Sequence, residues 1–327
     1  MAEIIPGVLQ LKIPIPNNPL GYTNDYLVHD DDTYLLIDTG VNTEEALQSL
    51  KKQLSEIGVS LEDISQIIAT HAHNDHYGLT IRLRELSRAK IALHYQDKDL
   101  ILASDVDMNE LRRQLEEWLC INGAPPDMLP SLLAIGRLGP LPPPDINLLG
   151  GETISAGLFK LQVLWTPGHS PGHICLYEPT RKILFGGDHI LPVITPHISL
   201  RPQSNANPLS DFLNSLDLVK ELDCHLVLPA HEHVFSNLRT RVEEIIKHHQ
   251  QRSAEILETI KSEPKTAYQI SSEITWMPGL GGKRFGDLAP WDKRMAVGET
   301  LAHLQAMKFK SEVNSPLKKN ITYYQHI

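Results

Sequence analysis

The run Thr70-His71-Ala72-His73-Asn74-Asp75-His76-Tyr77-Gly78 constrains this chain more than any other stretch. Three imidazoles and a carboxylate fall within six residues, directly after the apolar residues 64–69. A strand rises about 3.3 Å per residue and turns alternate side chains to one face. His71 and His73 at the end of such a strand can therefore grip one ion. Asp75 and His76, past a bend, can face a second. Zn²⁺ takes imidazole nitrogen and carboxylate oxygen at about 2.0–2.2 Å, so the donor set suits it.

One such run supplies too few donors to close two metal sites, so more are expected at the ends of later strands. Residues 161–165 break into Thr166-Pro167-Gly168-His169-Ser170-Pro171-Gly172-His173. Residues 183–185 run into Gly186-Gly187-Asp188-His189, and residues 226–228 into Pro229-Ala230-His231-Glu232-His233. Each time an apolar run ends in Gly or Pro punctuation and then a metal-capable residue. His173, His189 and His233 read as supporting or structural neighbours, and Ser170 as a turn residue rather than a nucleophile.

On these residues the chain resembles the metallo-β-lactamase superfamily. The family signature His-x-His-x-Asp-His stands here as His71, His73, Asp75 and His76, and the later ligands match His169, Asp188 and His231. The resemblance covers about residues 1–240. It implies an α/β fold, a four-layer αββα sandwich, with two divalent metal ions in the cleft between the sheets. His71, His73 and His169 would hold the first ion, Asp75, His76 and His231 the second, and Asp188 would bridge them. Asp38, in Leu35-Leu36-Ile37-Asp38-Thr39-Gly40, matches the family's supporting aspartate and would accept the remaining N–H of a ligand imidazole. Zinc is the expected metal, and iron or manganese accept the same donors. A two-metal site brings the pKa of bound water from about 15.7 toward 7, which makes hydroxide available. Asp75 and Asp188 would then act as the catalytic carboxylates that steer it.

Composition narrows the function classes. A chain of 327 residues can bury a large core and has room for two domains. Its net charge of −10 argues against a protein coated for nucleic acid. Cys120, Cys175 and Cys224 are odd in number and scattered, which suggests neither a disulfide framework nor a thiolate metal site. The first residues lack a basic segment followed by an apolar core. No apolar stretch reaches spanning length. The expectation is a reduced, cytoplasmic enzyme with no membrane partner.

Three regions follow along the chain. In the first, strands are expected at residues 8–13, 25–28 and 34–37 and a helix at 43–57, before the metal strand. The intervening loop, residues 14–24, is rigid and aromatic, and its Tyr22 and Asn24 are candidate substrate contacts. His197, in Ile194-Thr195-Pro196-His197, is a further candidate. The second region, 96–150, reads as a helical cap inserted into the catalytic domain 1–240. Its helix at 109–120 carries Leu111, Leu115, Trp118 and Leu119 on one stripe. The third region, 241–327, reads as helices at 241–261, 267–274 and 293–307 followed by a hairpin. That is the order of a winged helix, as in the long-tailed endoribonuclease-like branch of the family. Its third helix offers few exposed cations (Lys293, Arg294 and Lys308) around a central Glu299, and tight nucleic-acid binders need more phosphate contacts than that.

The function expected from these readings is binuclear metal-dependent hydrolysis of a carbonyl ester, thioester or lactone of a small molecule, with a homodimer as a candidate assembly. The alternative is a metal-dependent endoribonuclease whose C-terminal module binds RNA. Fold and ligands do not choose between them.

Overall fold

The computed structural model describes residues 1–30, 33–97, 101, 108–128, 141–201, 206–276 and 281–327. The chain divides into two units. The first comprises Met1–Asp105, Leu138–Pro196 and Ser215–Val242, and the second Val106–Arg137, His197–Asn214 and Glu243–Ile327.

Period-two alternation builds the first unit. β1 (Ala2–Ile5), β2 (Val8–Pro14), β3 (Tyr22–Asp30), β4 (Thr33–Ile37), β5 (Ile64–Ile68), β6 (Lys90–His94) and β7 (Ile146–Leu148) form a seven-stranded sheet in chain order. β8 (Thr153–Ala156), β9 (Phe159–Trp165), β10 (Ile174–Glu178), β11 (Ile183–Gly187) and β12 (Leu226–Pro229) form a five-stranded sheet in the order β12-β11-β10-β9-β8. In β4, Leu36 faces one core, while Leu35 and Ile37 face the other. The Leu36 side packs on α1 (Glu44–Ser55) through Ala46, Leu47, Leu50 and Leu54, and on Leu83 of α3 (Thr80–Leu86). The opposite side meets the second sheet through Phe159, Leu161, Val163, Ile174, Leu176 and Phe185. Every residue of β10 and β11 is buried, so the outer face of the second sheet is covered as well. Each fully buried Leu, Ile, Val or Phe here contributes about 1.5–3 kcal/mol, and the two cores of the sandwich hold dozens of them. α1 itself starts where Thr43 accepts the Ala46 N–H, with Glu44 and Glu45 at the positive end of its dipole.

Two sequence expectations shift. The loop expected at 14–24 is shorter, because β3 begins at Tyr22 and pairs Pro14↔Tyr22, Ile13↔Thr23 and Lys12↔Asn24. Strand β5 ends at Ile68, so His71 and His73 lie in the extended loop beyond it, and Asp75 and His76 sit on a single helical turn, α2 (Asn74–Tyr77).

The second unit contains α4 (Met108–Ile121), residues 208–214, residues 243–259, α7 (Ala267–Glu273) and α8 (Pro290–Phe309); residues 208–214 belong to helix α5 (Pro208–Lys220), and 243–259 to α6 (Leu238–Thr259). Two small strand pairs, Val313–Asn314 with Gln325–His326 and Leu317–Lys318 with Ile321–Thr322, close the chain. Its core gathers Ile256, Ile260, Ile270, Trp276, Phe285, Val297, Leu301, Leu304 and Met307, with Trp118 of α4 packed against it. The helix expected at 109–120 is therefore present and belongs with the C-terminal segment, not with the sandwich. Thr266 and Gln269 form a capping box that starts α7. Gly123, at φ +86°, lets the chain pass Thr266, whose Oγ1 would lie 2.3 Å from a Cβ at that position. Within α8, Arg294 is buried over the Trp291 ring at 4.1 Å, which corrects its reading as an exposed cation. Residues 129–140 of the expected cap and 277–280 of the C-terminal region lie outside the described residues. Among the described residues no helix is long and apolar enough to cross a membrane.

Candidate metal centre

Four strand ends and one helical turn deliver the clustered side chains. β5 leads to His71 and His73, and α2 to Asp75 and His76. β9 leads to His169, β11 to Asp188 and β12 to His231. The α2 turn is pinned from the first sheet: Thr39 donates through both its N–H and its hydroxyl to the His76 carbonyl, each at 2.9 Å, and the Thr23 hydroxyl donates to the Asp75 carbonyl at 3.2 Å.

Three groups of donors converge: His71, His73 and His169; His71, His76 and Asp188; and Asp75, His76 and His231, each with one donor atom per residue within 4.8 Å of the others. His73 Nδ1 stands 2.8 Å from His71 Nε2 and 2.9 Å from His169 Nε2. Asp188 lies between the outer groups. Its Oδ2 is 3.4 Å from His169 Nε2 and 3.5 Å from His76 Nε2, and its Oδ1 is 3.3 Å from His231 Nε2. Asp75 completes the far side, 3.7 Å from His76 Nε2 and 3.6 Å from His231 Nε2. An ion about 2.0–2.2 Å from each donor holds tetrahedral ligands roughly 3.3–3.5 Å apart, so these spacings suit such an ion with little adjustment. His76 Nε2 and Asp188 Oδ1 are buried without a hydrogen bond of ordinary geometry, a costly condition that a cation would relieve. The residues present fit divalent metal.

Behind the donors, hydrogen bonds fix ring orientation. Asp38 accepts at Oδ2 from His76 Nδ1 (3.0 Å) and at Oδ1 from the Thr70 N–H (2.7 Å). The Thr70 hydroxyl lies 3.1 Å from His71 Nδ1. The Tyr22 carbonyl stands 3.3 Å from His231 Nδ1. His173, fully buried, accepts the Asp188 N–H at Nε2 (3.1 Å) and therefore carries its proton on Nδ1, toward the Thr166 hydroxyl (2.8 Å). Gly187, at φ +50°, makes that approach possible, since a Cβ there would lie 2.6 Å from His173 Nε2.

Charge is distributed to match. Burial, reinforced by the neighbouring imidazoles of His76, His73 and His169, holds His71 well below the ordinary histidine range. Burial opposes charge on His76 too, yet the carboxylates of Asp188, Asp75 and Asp38 outweigh it and raise His76 well above that range. His231 is likewise raised, chiefly by Asp188 against the cost of burial. Asp188, despite burial, is held well below the usual carboxylate range by His231 and His76. A cation placed here competes with protons on His76 and His231.

The sequence-derived candidates divide. His71, His73, Asp75, His76, His169, Asp188 and His231 come together, with Asp38 behind them. Asn24 is fully buried, and its side-chain N–H groups donate to the Pro229 and Glu232 carbonyls at 3.0 and 3.1 Å. It ties the His231 turn to β3, which replaces its expected contact with substrate. The Tyr22 side chain is paired with Lys12, its hydroxyl 3.1 Å from Nζ, and it is the Tyr22 backbone carbonyl that faces the site, at His231 Nδ1. His197 falls in the second unit, 3.5 Å from Glu299. His233 is exposed, and His189 is buried, its imidazole brought down to about 3 by burial. Sequence reasoning missed Thr70, Thr166, Asp97 and Asp25. Burial, with the charges of Asp38 and Asp75 nearby, drives the Asp25 carboxyl well above its ordinary range. Asp97 could have been found, because it follows the strand 90–94 just as the clustered donors follow theirs.

A family model described as the metallo-beta-lactamase superfamily matches residues 18–231. The probable metallo-hydrolase YqjP of Bacillus subtilis is 26% identical over 328 residues, 97% of each chain. The acyl-coenzyme A thioesterase MBLAC2 of Homo sapiens is 29% identical over 225 residues, 65% of this chain and 74% of that one. Among solved structures, a metallo-beta-lactamase family protein from Thermus thermophilus superposes with a TM-score of 0.81 at 29% identity, covering 99% of this chain and all of the other.

Proposed function

This chain belongs to the metallo-β-lactamase superfamily, and from that premise we propose that it is a two-metal hydrolase of a small carbonyl substrate, with a thioester preferred over an ester or lactone. The observation that carries the reading is the convergence of seven His and Asp donors into overlapping groups, with Asp188 facing both ends. The similarity to an acyl-coenzyme A thioesterase supports the thioester choice.

His71, His73 and His169 would hold one ion, Asp75, His76 and His231 the other, and Asp188 would reach both. Zinc matches this borderline nitrogen and oxygen set best. Bound there, the pair supplies an acidified water and polarises the carbonyl under attack. The chain's own groups do the rest. Asp75, whose side chain is 27% exposed, is the carboxylate open to an incoming water and can take its proton. Asp38 keeps the His76 ring turned with Nε2 inward, and His173 fixes the backbone that carries Asp188. No serine or cysteine nucleophile is required: the Ser170 hydroxyl is committed to Asp97, and Cys175 is buried with its thiol pushed up to about 12 by burial. An RNA substrate has little to hold it in α8, where Arg294 is buried on Trp291.

The test is turnover by metal-quantified protein on short acyl-coenzyme A thioesters, lactones and a chromogenic β-lactam, beside single-stranded RNA and a simple phosphodiester. Chelator-sensitive thioester hydrolysis that disappears in Asp75→Ala is expected. RNA cleavage without carbonyl hydrolysis would overturn the reading.

A further inference from the structure

We propose that Asp97 is a positioning residue that sets the spacing between the turn bearing His71 and His73 and the turn bearing His169. The inference rests on the reading of those nitrogens as metal donors. Asp97 ends a short 3-10 turn (Tyr95–Asp97) that follows β6, the parallel neighbour of β5, and it is fully buried. Its Oδ2 accepts the N–H of Ala72, the residue between His71 and His73, at 2.7 Å. The same oxygen accepts the hydroxyl of Ser170, the residue after His169, at 3.1 Å. Its Oδ1 accepts the Gly172 N–H at 2.6 Å. One carboxylate thus joins two turns that lie far apart in the chain, each within a residue of a donor.

The consequence is geometric. Two of the three nitrogens in the first group come from one turn and one from the other, and His73 Nδ1 and His169 Nε2 stand 2.9 Å apart. A slip between the turns is a slip within the donor set. A second tie, from the Ile174 N–H to the Thr70 carbonyl at 2.9 Å, joins the same segments nearer their strands. Asp97 acts at the level of the donors. The close approach needs glycine at 172, where a Cβ would lie 2.6 Å from the Asp97 nitrogen and 2.8 Å from its Cγ. Outer partners that orient metal ligands typically change affinity or activity by about 10–100-fold when lost.

Asp97→Asn keeps the size and one acceptor but sets an amide N–H₂ against an N–H or hydroxyl donor. The full chain, stripped of metal, would be titrated with Co²⁺ for its visible absorption and with Zn²⁺ against a chromophoric chelator, with unfolding curves run alongside. We expect a folded variant with Zn²⁺ affinity about 10–100-fold weaker and a shifted Co²⁺ band, and a fall in kcat larger than any change in KM. A folded Asp97→Asn with wild-type affinity and band would overturn the clamp while leaving the metal centre standing. Wild-type protein that takes up neither ion would overturn the reading beneath it. Ser170→Ala removes one tie and leaves the backbone ones, so it should shift the band from the wild-type position by less than Asp97→Asn does, and that shift can be read even if Asp97→Asn does not fold. An unchanged Ser170→Ala band in that case would count against the clamp.

Discussion

In the first unit, His71, His73, His76, His169 and His231 turn ring nitrogens toward one another and toward Asp75 and Asp188. In the second, His249 and His303 turn theirs toward each other at 3.3 Å, and the other nitrogen of His303 lies 2.8 Å from the Ser253 hydroxyl. Both clusters are buried and rich in histidine, and both contain carboxylate. They differ in what the carboxylate faces. Asp188 faces the imidazoles of His76, His169 and His231, whereas Glu299 has Arg252 at 3.8 Å as well as His197. Glu299 is brought down to about 2: burial opposes this, but the His197 hydrogen bond and charge outweigh it. Burial, then, for His303, the neighbouring His249, holds both rings below the histidine range, with His249 at about 4. The second cluster has settled its charge internally. Among the described residues, three metal-capable donors converge only in the first. Histidine density alone does not make a metal site; lone pairs aimed at one point do.

The largest effect that separates the clusters should come from Asp188. Asp188→Ala removes the carboxylate that lies between the two outer donor groups, and thioester turnover should fall by about a thousandfold or more, roughly 4 kcal/mol of lost transition-state stabilisation. Bound metal, counted by elemental analysis, should fall with it. Glu299→Gln should keep the wild-type metal content. Equal metal loss in both variants would erase the distinction.

A smaller effect follows from protons. In the metal-free protein, His76 and His231 have raised pKa values. The stability they contribute is complete below the unfolded histidine value of about 6.5 and fades as pH rises through the raised folded values. Metal uptake expels those protons, so it is opposed in acid and favoured in base. The rise in Tm caused by a fixed free Zn²⁺ concentration should therefore grow between pH 6 and 8, each tenfold gain in affinity adding about 1.4 kcal/mol. A rise independent of pH would mean that the donors are already unprotonated, as the second cluster is.

How far each cluster could be read in the sequence follows from the same contrast. His71 to His76 are contiguous, and the recurring strand, turn and ligand order found His169, Asp188 and His231, because a strand end fixes where the next few residues point. Residues 90–94 obey the same order, and Asp97 lies just past that strand. Tyr22 and Asn24 looked like substrate contacts because their hydrogen-bond partners lie more than 200 positions away, in a turn whose docking no local pattern encodes. The sandwich was legible through its alternation. The second cluster was not, since His197, His249, Glu299 and His303 come from three separate segments and share no spacing apart from the helical i, i+4 step between Glu299 and His303. Arg294 read as surface because its spacing cannot show that Trp291 covers it.

The smallest effect tests the second cluster on its own terms. His249 is neutral in the folded state with a pKa near 4, against about 6.5 unfolded. A depressed value means that the unfolded chain binds the extra proton, so stability is lost as pH falls from about 6.5 toward 4. His249→Phe removes that titration while keeping an aromatic ring against Phe212, whose centroid lies 5.5 Å away. At pH 7.5 the variant should cost about 1 kcal/mol for the lost partner of His303. At pH 5 the wild type has lost roughly 2 kcal/mol of its advantage, so the two urea midpoints should meet or cross. A constant offset at both pH values would show that the ring titrates freely in the folded protein. The second cluster would then be as open to a proton as the first, and the claim that it has settled its own charge would fail.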